Sequence, residues 1–194
     1  MRKICVITGT RAEFGLMQKM LEGFKAAPEI QLQLIVTGSH LVAHHGKTHS
    51  EIKAAGFEIN AEVDMLMASD SSRAIGQSMG LGVIGLTNTL ARLEPDIIVL
   101  LGDRYEALAA AQSAMILRIP IAHIHGGEAT EGLFDEAIRH SITKMSHLHF
   151  TSAEAFRRKV IQMGEQPSSV YNVGAPGLDN IASLTPLSRA EMED

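Results

Sequence analysis

Hydrophobic positions along this chain fall into two alternating patterns. Short runs rich in β-branched residues occupy Lys3–Thr8, Gln33–Thr37, Ile97–Leu101, Ile119–Ile124, His147–Thr151 and Val170–Val173, with the length and composition of strands. Between them, Glu13–Ala26, Ser72–Leu93, Tyr105–Leu117, Asp135–Met145 and Ala153–Met163 carry apolar residues at three- and four-residue spacings, which puts those residues on one face of a helix. Glu58–Val63 is a weaker strand candidate, and Val42–Ser50 fits neither pattern. Continuous apolar stretches such as VLL and IAHI lack the in–out alternation of a half-exposed sheet, so the central strands are read as covered on both faces. The rhythm predicts an α/β fold, a parallel sheet with helices on both sides. No internal repeat, low-complexity segment or linker interrupts residues 1–174.

Composition narrows the picture. The 194 residues are 45% hydrophobic and 20% charged, enough for one sizeable core. A net charge of −5 without a basic run argues against nucleic acid or an anionic membrane as the main partner. The opening MRKICVITGT is too short for a signal segment or a membrane span, so a cytoplasmic protein is expected. The single cysteine, Cys5, permits neither an internal disulfide nor a thiolate metal site and reads as a buried strand residue. Near the end, Ser188-Arg-Ala-Glu191 has the form of a capping box. It predicts a helix announced just before the sequence stops, hence a first domain over 1–180, the start of an interdomain connection over 181–194, and truncation near that boundary.

In open parallel sheets, ligands bind outside the carboxyl ends of the strands, and three strand exits here carry chemistry. The first is Gly9-Thr10-Arg11, where a glycine admits close approach and an arginine can pair with phosphate before a helix N-terminus. The competing reading makes Thr10 only a helix cap and Arg11 a solvated residue. The second is Gly102-Asp103-Arg104, where Asp103 is alternatively a cap for the next helix. The third opens HIHGGEATEGLFDEAIRH, residues 123–140, which packs four acidic residues, three histidines, three glycines and an arginine into eighteen positions. His123 and His125 face one side of their strand, either as buried hydrogen-bonded imidazoles or as site residues, and a metal site with Glu128 lacks a third ligand. On the helix that follows, Asp135 and Arg139 are four apart on one face and Glu136 and His140 on the next, an arrangement that surface ion pairs would also explain. His40, His44, His45 and His49 read as a solvated polar segment. Gly76, Gly80, Gly82 and Gly85 form a small-residue seam for close helix packing. The nicotinamide fingerprint G-x-G-x-x-G is absent after the first strand, where GTRAEFG has a different spacing.

Taken together, GTRAEFG, TGSHL at 37–41, LLGDRYEALAAA at 100–111, HIHGGEATEG at 123–132, DEAIRHSITKMSHLHF at 135–150 and VGAPGLDNI at 173–181 closely resemble the hydrolysing UDP-N-acetylglucosamine 2-epimerases of sialic- and legionaminic-acid synthesis. The resemblance implies the N-terminal, Rossmann-like half of a two-domain GT-B-type fold, a UDP-sugar as substrate and a homodimer; no cofactor is expected, and no metal, since these residues build no convincing metal site. It implies elimination of UDP across C1 and C2 to a glucal, then hydration to the free 2-epimer. Carried over by motif, Asp103 and Asp135 are catalytic and Arg11 is the first-loop arginine. Where some members have a catalytic glutamate, this chain has His125, so either His125 or Glu128 takes that role. Gly9, Arg11, His40, Arg104, His123, Arg139 and His140 are the candidate substrate contacts. UDP-N-acetylglucosamine is the first candidate substrate, and the HIHGGE form also resembles enzymes acting on a UDP-2,4-diacetamido-trideoxyhexose. A noncatalytic sugar-nucleotide-binding or regulatory domain and a glycosyltransferase half are the competing readings. The resemblance places most uracil and diphosphate contacts in a C-terminal domain, so this chain alone is expected to turn over little or nothing.

Overall fold

The structure is a computed structural model that describes residues 1–42, 48–129 and 134–182. Seven parallel strands form one sheet: β1 (Arg2–Thr8), β2 (Ile30–Thr37), β3 (Ala61–Val63), β4 (Ile97–Leu101), β5 (Ile121–Ile124), β6 (Leu148–Thr151) and β7 (Val170–Asn172). Their order is β3-β2-β1-β4-β5-β6-β7. The chain therefore winds outward from β1 in one direction, crosses back to β4, and winds outward in the other, which leaves a crevice between the carboxyl ends of β1 and β4. The Rossmann-like expectation holds, and the weak candidate at Glu58–Val63 is the short edge strand β3.

Helices α1 (Arg11–Ala26), α2 (His49–Ala54), α3 (Ser72–Leu93), α4 (Tyr105–Ile116), α5 (Asp135–Met145), α6 (Glu154–Gln162) and α7 (Gly177–Ala182) complete the described fold. Strand alternation splits the core in two. Cys5, Ile7, Ile35, Ile98, Leu100 and Ile121 join Leu86 and Leu90 of α3, the alanines of α4, and Ile138 and Ile142 of α5. Val6, Leu34, Val99, Ala122 and Ile124 join Phe14, Met17 and Leu21 of α1 on the opposite face. Cys5 is wholly buried, and burial pushes its thiol up to about 12, as suits an inert strand residue.

The alanine face of α4 lets that helix lie between α3 and α5. The seam on α3 packs within the chain over part of its length: a methyl group at Gly82 would stand 2.7 Å from the Met65 methyl and 3.2 Å from Ala109 Cβ, and one at Gly85 would stand 2.6 Å from Val63. One boundary shift from the sequence reading has a clear local cause. The strand expected over Ile119–Ile124 starts at Ile121 because Arg118 takes a left-handed turn at φ 59° and Pro120 has no N–H to give the ladder. The unassigned Val42–Ser50 ends in α2, while His44 and His45 lie outside the described residues, as do 183–194 with the capping box. Among the described residues, no helix is long and apolar enough to cross a membrane.

Candidate active site

The first strand exit is locked by two buried carboxylates. Thr10 caps α1 by accepting a hydrogen bond from Glu13 N, and the Glu13 carboxylate accepts from Gly9 N at 2.7 Å and Thr10 N at 3.1 Å. Beneath it lies Glu106 of α4, 2% exposed, which accepts from Arg104 Nε at 3.2 Å and Nη2 at 2.9 Å. A side chain at Gly38, where φ is +61°, would stand 2.7 Å from Gly9 O and 2.9 Å from Glu106 Oε1. Ser39 Oγ also donates to Gly9 O. The ends of β1, β2 and β4 are thus fastened to one another, and glycine is required at 38 for both space and conformation. Glu13 and Glu106 were not among the sequence candidates. The Thr10-x-x-Glu13 spacing of a capping box was a readable signal for the first; nothing local marks the second.

Burial holds the Glu13 carboxyl at about 7 instead of 4.5, the Glu106 charge adds to this, and the Gly9 and Thr10 amides and Arg104 oppose it. A carboxyl that binds its proton more tightly when folded stabilises the fold at low pH, and that contribution is lost as pH rises from about 4.5 to about 7. The loss is at most ~3 kcal/mol. Glu13→Gln keeps the accepting oxygen for both amides without the charge. It is therefore expected to gain stability over the wild type progressively between pH 5 and pH 8 in urea unfolding. Parallel pH profiles for the two proteins would contradict this.

The second and third exits meet around Arg139. Gly102 turns the chain at φ 77° and presents Asp103, which accepts a hydrogen bond from Arg139 Nη2. Arg139, only 8% exposed along its side chain, also approaches Glu128 Oε2 at 3.6 Å and donates from Nη1 to His125 O at 2.7 Å. His125 has a left-handed backbone at φ 67°, which costs a side-chain-bearing residue about 1–3 kcal/mol. The conformation is over-determined: His125 N donates to Phe150 O, its carbonyl is held by Arg139, and its Nδ1 lies 2.8 Å from Glu128 Oε1. Ser152 Oγ donates to the same Glu128 oxygen at 2.6 Å. His125 Nε2 is buried and has no hydrogen-bond partner among the described residues. The following Gly127, at φ +81°, lies so close to α6 that a Cβ there would stand 2.6 Å from Phe156 O.

The remaining candidates occupy varied places. Asp135 is the half-buried first residue of α5, one turn before Arg139 and on its face. Arg104 flanks the β4 exit, half-exposed. Arg11 is largely exposed and pairs with Glu51 at 2.8 Å, a surface contact worth about 0–1 kcal/mol. His140 lies 3.3 Å from Glu136, which also holds Lys159 of α6, so this pair faces α6. His40 and His123 are wholly buried, with their nitrogens spent on protein partners. His40 contacts Thr8 Oγ1 at 3.1 Å and Thr48 Oγ1 at 2.6 Å, and burial lowers its pKa to about 4.

At the first and second exits, a cleft of about 590 Å³ is lined by Thr10, Ser39, Met67, Asp70, Arg104 and Tyr105, among others. A wider depression of about 930 Å³, lined by Arg2, Glu29, Asp96 and Pro120 among others, lies at the amino ends of the strands. It is open and gathers no comparable set of acid–base groups, so the carboxyl edge is the candidate site. Among the described residues, no group of three or more His, Cys, Asp or Glu side chains is arranged to hold a metal ion.

The family described as UDP-N-acetylglucosamine 2-epimerase matches residues 22–194. A relative from Legionella pneumophila, named UDP-N,N'-diacetylbacillosamine 2-epimerase (hydrolyzing), is 43% identical, with 93% of this chain and 48% of the relative covered. Polysialic acid biosynthesis protein P7 of Escherichia coli is 42% identical over 100% of this chain and 49% of its own length. The UDP-GlcNAc 2-epimerase structure from Neisseria meningitidis, described as bound to UDP-GlcNAc, superposes with a TM-score of 0.79 at 19% identity. That match covers 93% of this chain and 50% of the other. The chain spans about half the length of the curated relatives it matches. With a family match over most of its residues and a sheet of the same fold, the chain belongs to the UDP-N-acetylglucosamine 2-epimerase family.

Proposed function

We propose that this chain forms the catalytic half of a hydrolysing 2-epimerase acting on a UDP-2-acetamido sugar. The observation that carries the reading is the convergence of Asp103, Glu128 and His125 on one buried guanidinium, Arg139, at the carboxyl edge of the sheet. The reaction removes the proton from C2 while the C1–oxygen bond breaks and UDP departs. Water then adds its oxygen to C1 of the glucal and a proton returns to C2 from the opposite face. Such chemistry needs two proton-transfer groups and positive charge near the departing diphosphate.

In this reading Asp103 and Asp135 serve C2 and the incoming water. Arg11 and Arg104, on either side of the crevice, receive the diphosphate. The open choice between His125 and Glu128 becomes a division of labour: Glu128 orients the imidazole through Nδ1 and leaves Nε2 to carry the proton. Uracil recognition falls to residues beyond this half, which function together with it.

UDP-N-acetylglucosamine is the first substrate. A second reading, a UDP-2,4-diacetamido-trideoxyhexose, is favoured by the 43% identity to the Legionella protein named for such a sugar. Incubation of the chain together with a C-terminal half, with each nucleotide sugar in turn, should release UDP and the free 2-epimer from one of them. Release from neither, with both halves folded, would refute the proposal.

A further inference from the structure

His123 stands apart from the groups assigned above. It lies within β5, is wholly buried, and its Nε2 is 2.7 Å from Gly102 O while its Nδ1 is 3.1 Å from Thr143 Oγ1. A carbonyl only accepts, so Nε2 must carry the hydrogen. A neutral imidazole has one N–H, so Nδ1 must accept, and the Thr143 hydroxyl must donate to it. Burial keeps the ring neutral, lowering its pKa to about 3, with His149, Arg139 and His125 adding repulsion against a second proton.

This arrangement closes a ring across three elements. From Gly102 O it runs through His123 to Thr143 on α5, back one turn along the helix to Arg139, across to Asp103, and so to Gly102. The ring restrains a permissive position, since Gly102 stands at φ +77° and its peptide can rotate if its carbonyl is released. Close packing tightens it. A Cβ at Gly126 would press to 3.1 Å from Thr143 Oγ1 and 3.3 Å from His123 Nδ1.

We propose that His123 is a positioning residue: its Nε2–H, fixed by Thr143, holds the Gly102 peptide so that Asp103 stays aimed between Arg139 and the reacting sugar. This rests on the functional reading above only in so far as Asp103 serves the reaction; the aim itself is a property of this chain. The substitutions separate the two nitrogens. His123→Gln can place an amide N–H near the Nε2 position and keep the bond to Gly102, whereas His123→Asn reaches only towards Thr143. Thr143→Val removes the donor to Nδ1 without changing volume, and Thr143→Ser keeps it.

The test is nitrogen-15 NMR of the labelled chain, with turnover measured after a C-terminal half is supplied. The imidazole of His123 should show a protonated Nε2 and bare Nδ1 that do not titrate between pH 5 and pH 8. The Asp103 amide and Arg139 guanidinium signals should move in His123→Asn and Thr143→Val and return in His123→Gln and Thr143→Ser. In the same two disruptive variants kcat should fall about tenfold with little change in KM. A protonated Nδ1 in the wild type, or Asp103 and Arg139 signals unmoved in folded Thr143→Val, would overturn the proposal. Spectra as expected beside a wild type that epimerises no UDP-sugar would instead refute the functional reading and leave the positioning of Asp103 standing.

Discussion

Asp103→Asn is expected to lower kcat for UDP release by about 10²–10⁴-fold, the usual loss when a positioned proton-transfer group is removed. The amide has the size of the carboxylate and its oxygen can still accept from Arg139, so the β4 exit and α5 should keep their places. What disappears is the negative charge and the capacity to take a proton. The substitution therefore separates chemistry from architecture. Its thermal melting should fall less than that of Arg139→Met, since Glu128 still faces the guanidinium at 3.6 Å and the amide oxygen keeps a hydrogen bond, while turnover collapses in the assembled enzyme. Near-normal turnover would remove Asp103 from the reaction.

Arg139→Met should have the largest effect on the fold. The guanidinium is almost wholly enclosed and joins Asp103, the His125 carbonyl and, more loosely, Glu128. Removing it leaves one partly buried carboxylate without its ion pair, another with less positive charge nearby, and a left-handed His125 with one restraint fewer. Breaking a buried pair from one side costs about 3–5 kcal/mol, and for a chain of this size each kcal/mol lowers Tm by about 2–4 °C. A fall of roughly 10 °C follows. Arg139→Lys keeps a charge but not the planar fork that reaches two partners at once, so it should recover only part of the loss. In a double-mutant cycle, Asp103→Asn should soften the cost of Arg139→Met because the carboxylate charge that faced the guanidinium is gone. Strict additivity of the two would contradict the coupling.

Particular residues show what was legible beforehand. Strands β1, β4 and β5 could be read because central parallel strands are apolar on both faces. Edge strand β3 could barely be read because three residues carry little pattern. The strand exits were legible as candidate chemistry because each apolar run ends on glycine close to Arg, Asp or His, although capping explained Thr10 and Asp103 as well. Sequence spacing alone could not choose partners. Arg139 is four residues from Asp135 and 36 from Asp103, yet Asp103 is a partner in the fold, a contact that depends on where α5 lands on the sheet. Glu106, Thr143 and Ser152 gave no local signal for the same reason: an acid in a first helical turn and two hydroxyls are ordinary until tertiary packing sets Gly9, His123 and Glu128 beside them. His123 and His125 differ by two positions in sequence but belong to different environments, one inside the sheet and one just beyond its end.

The central claim, elimination and rehydration of a UDP-2-acetamido sugar at this carboxyl edge, is tested most directly by running the reaction in deuterated water with a C-terminal half supplied and following the sugar by NMR. Free N-acetylmannosamine, or its diacetamido counterpart, should appear with deuterium at C2, since the proton leaves and returns through groups that exchange with solvent. A free 2-epimer that retains its original C2 hydrogen would contradict the account.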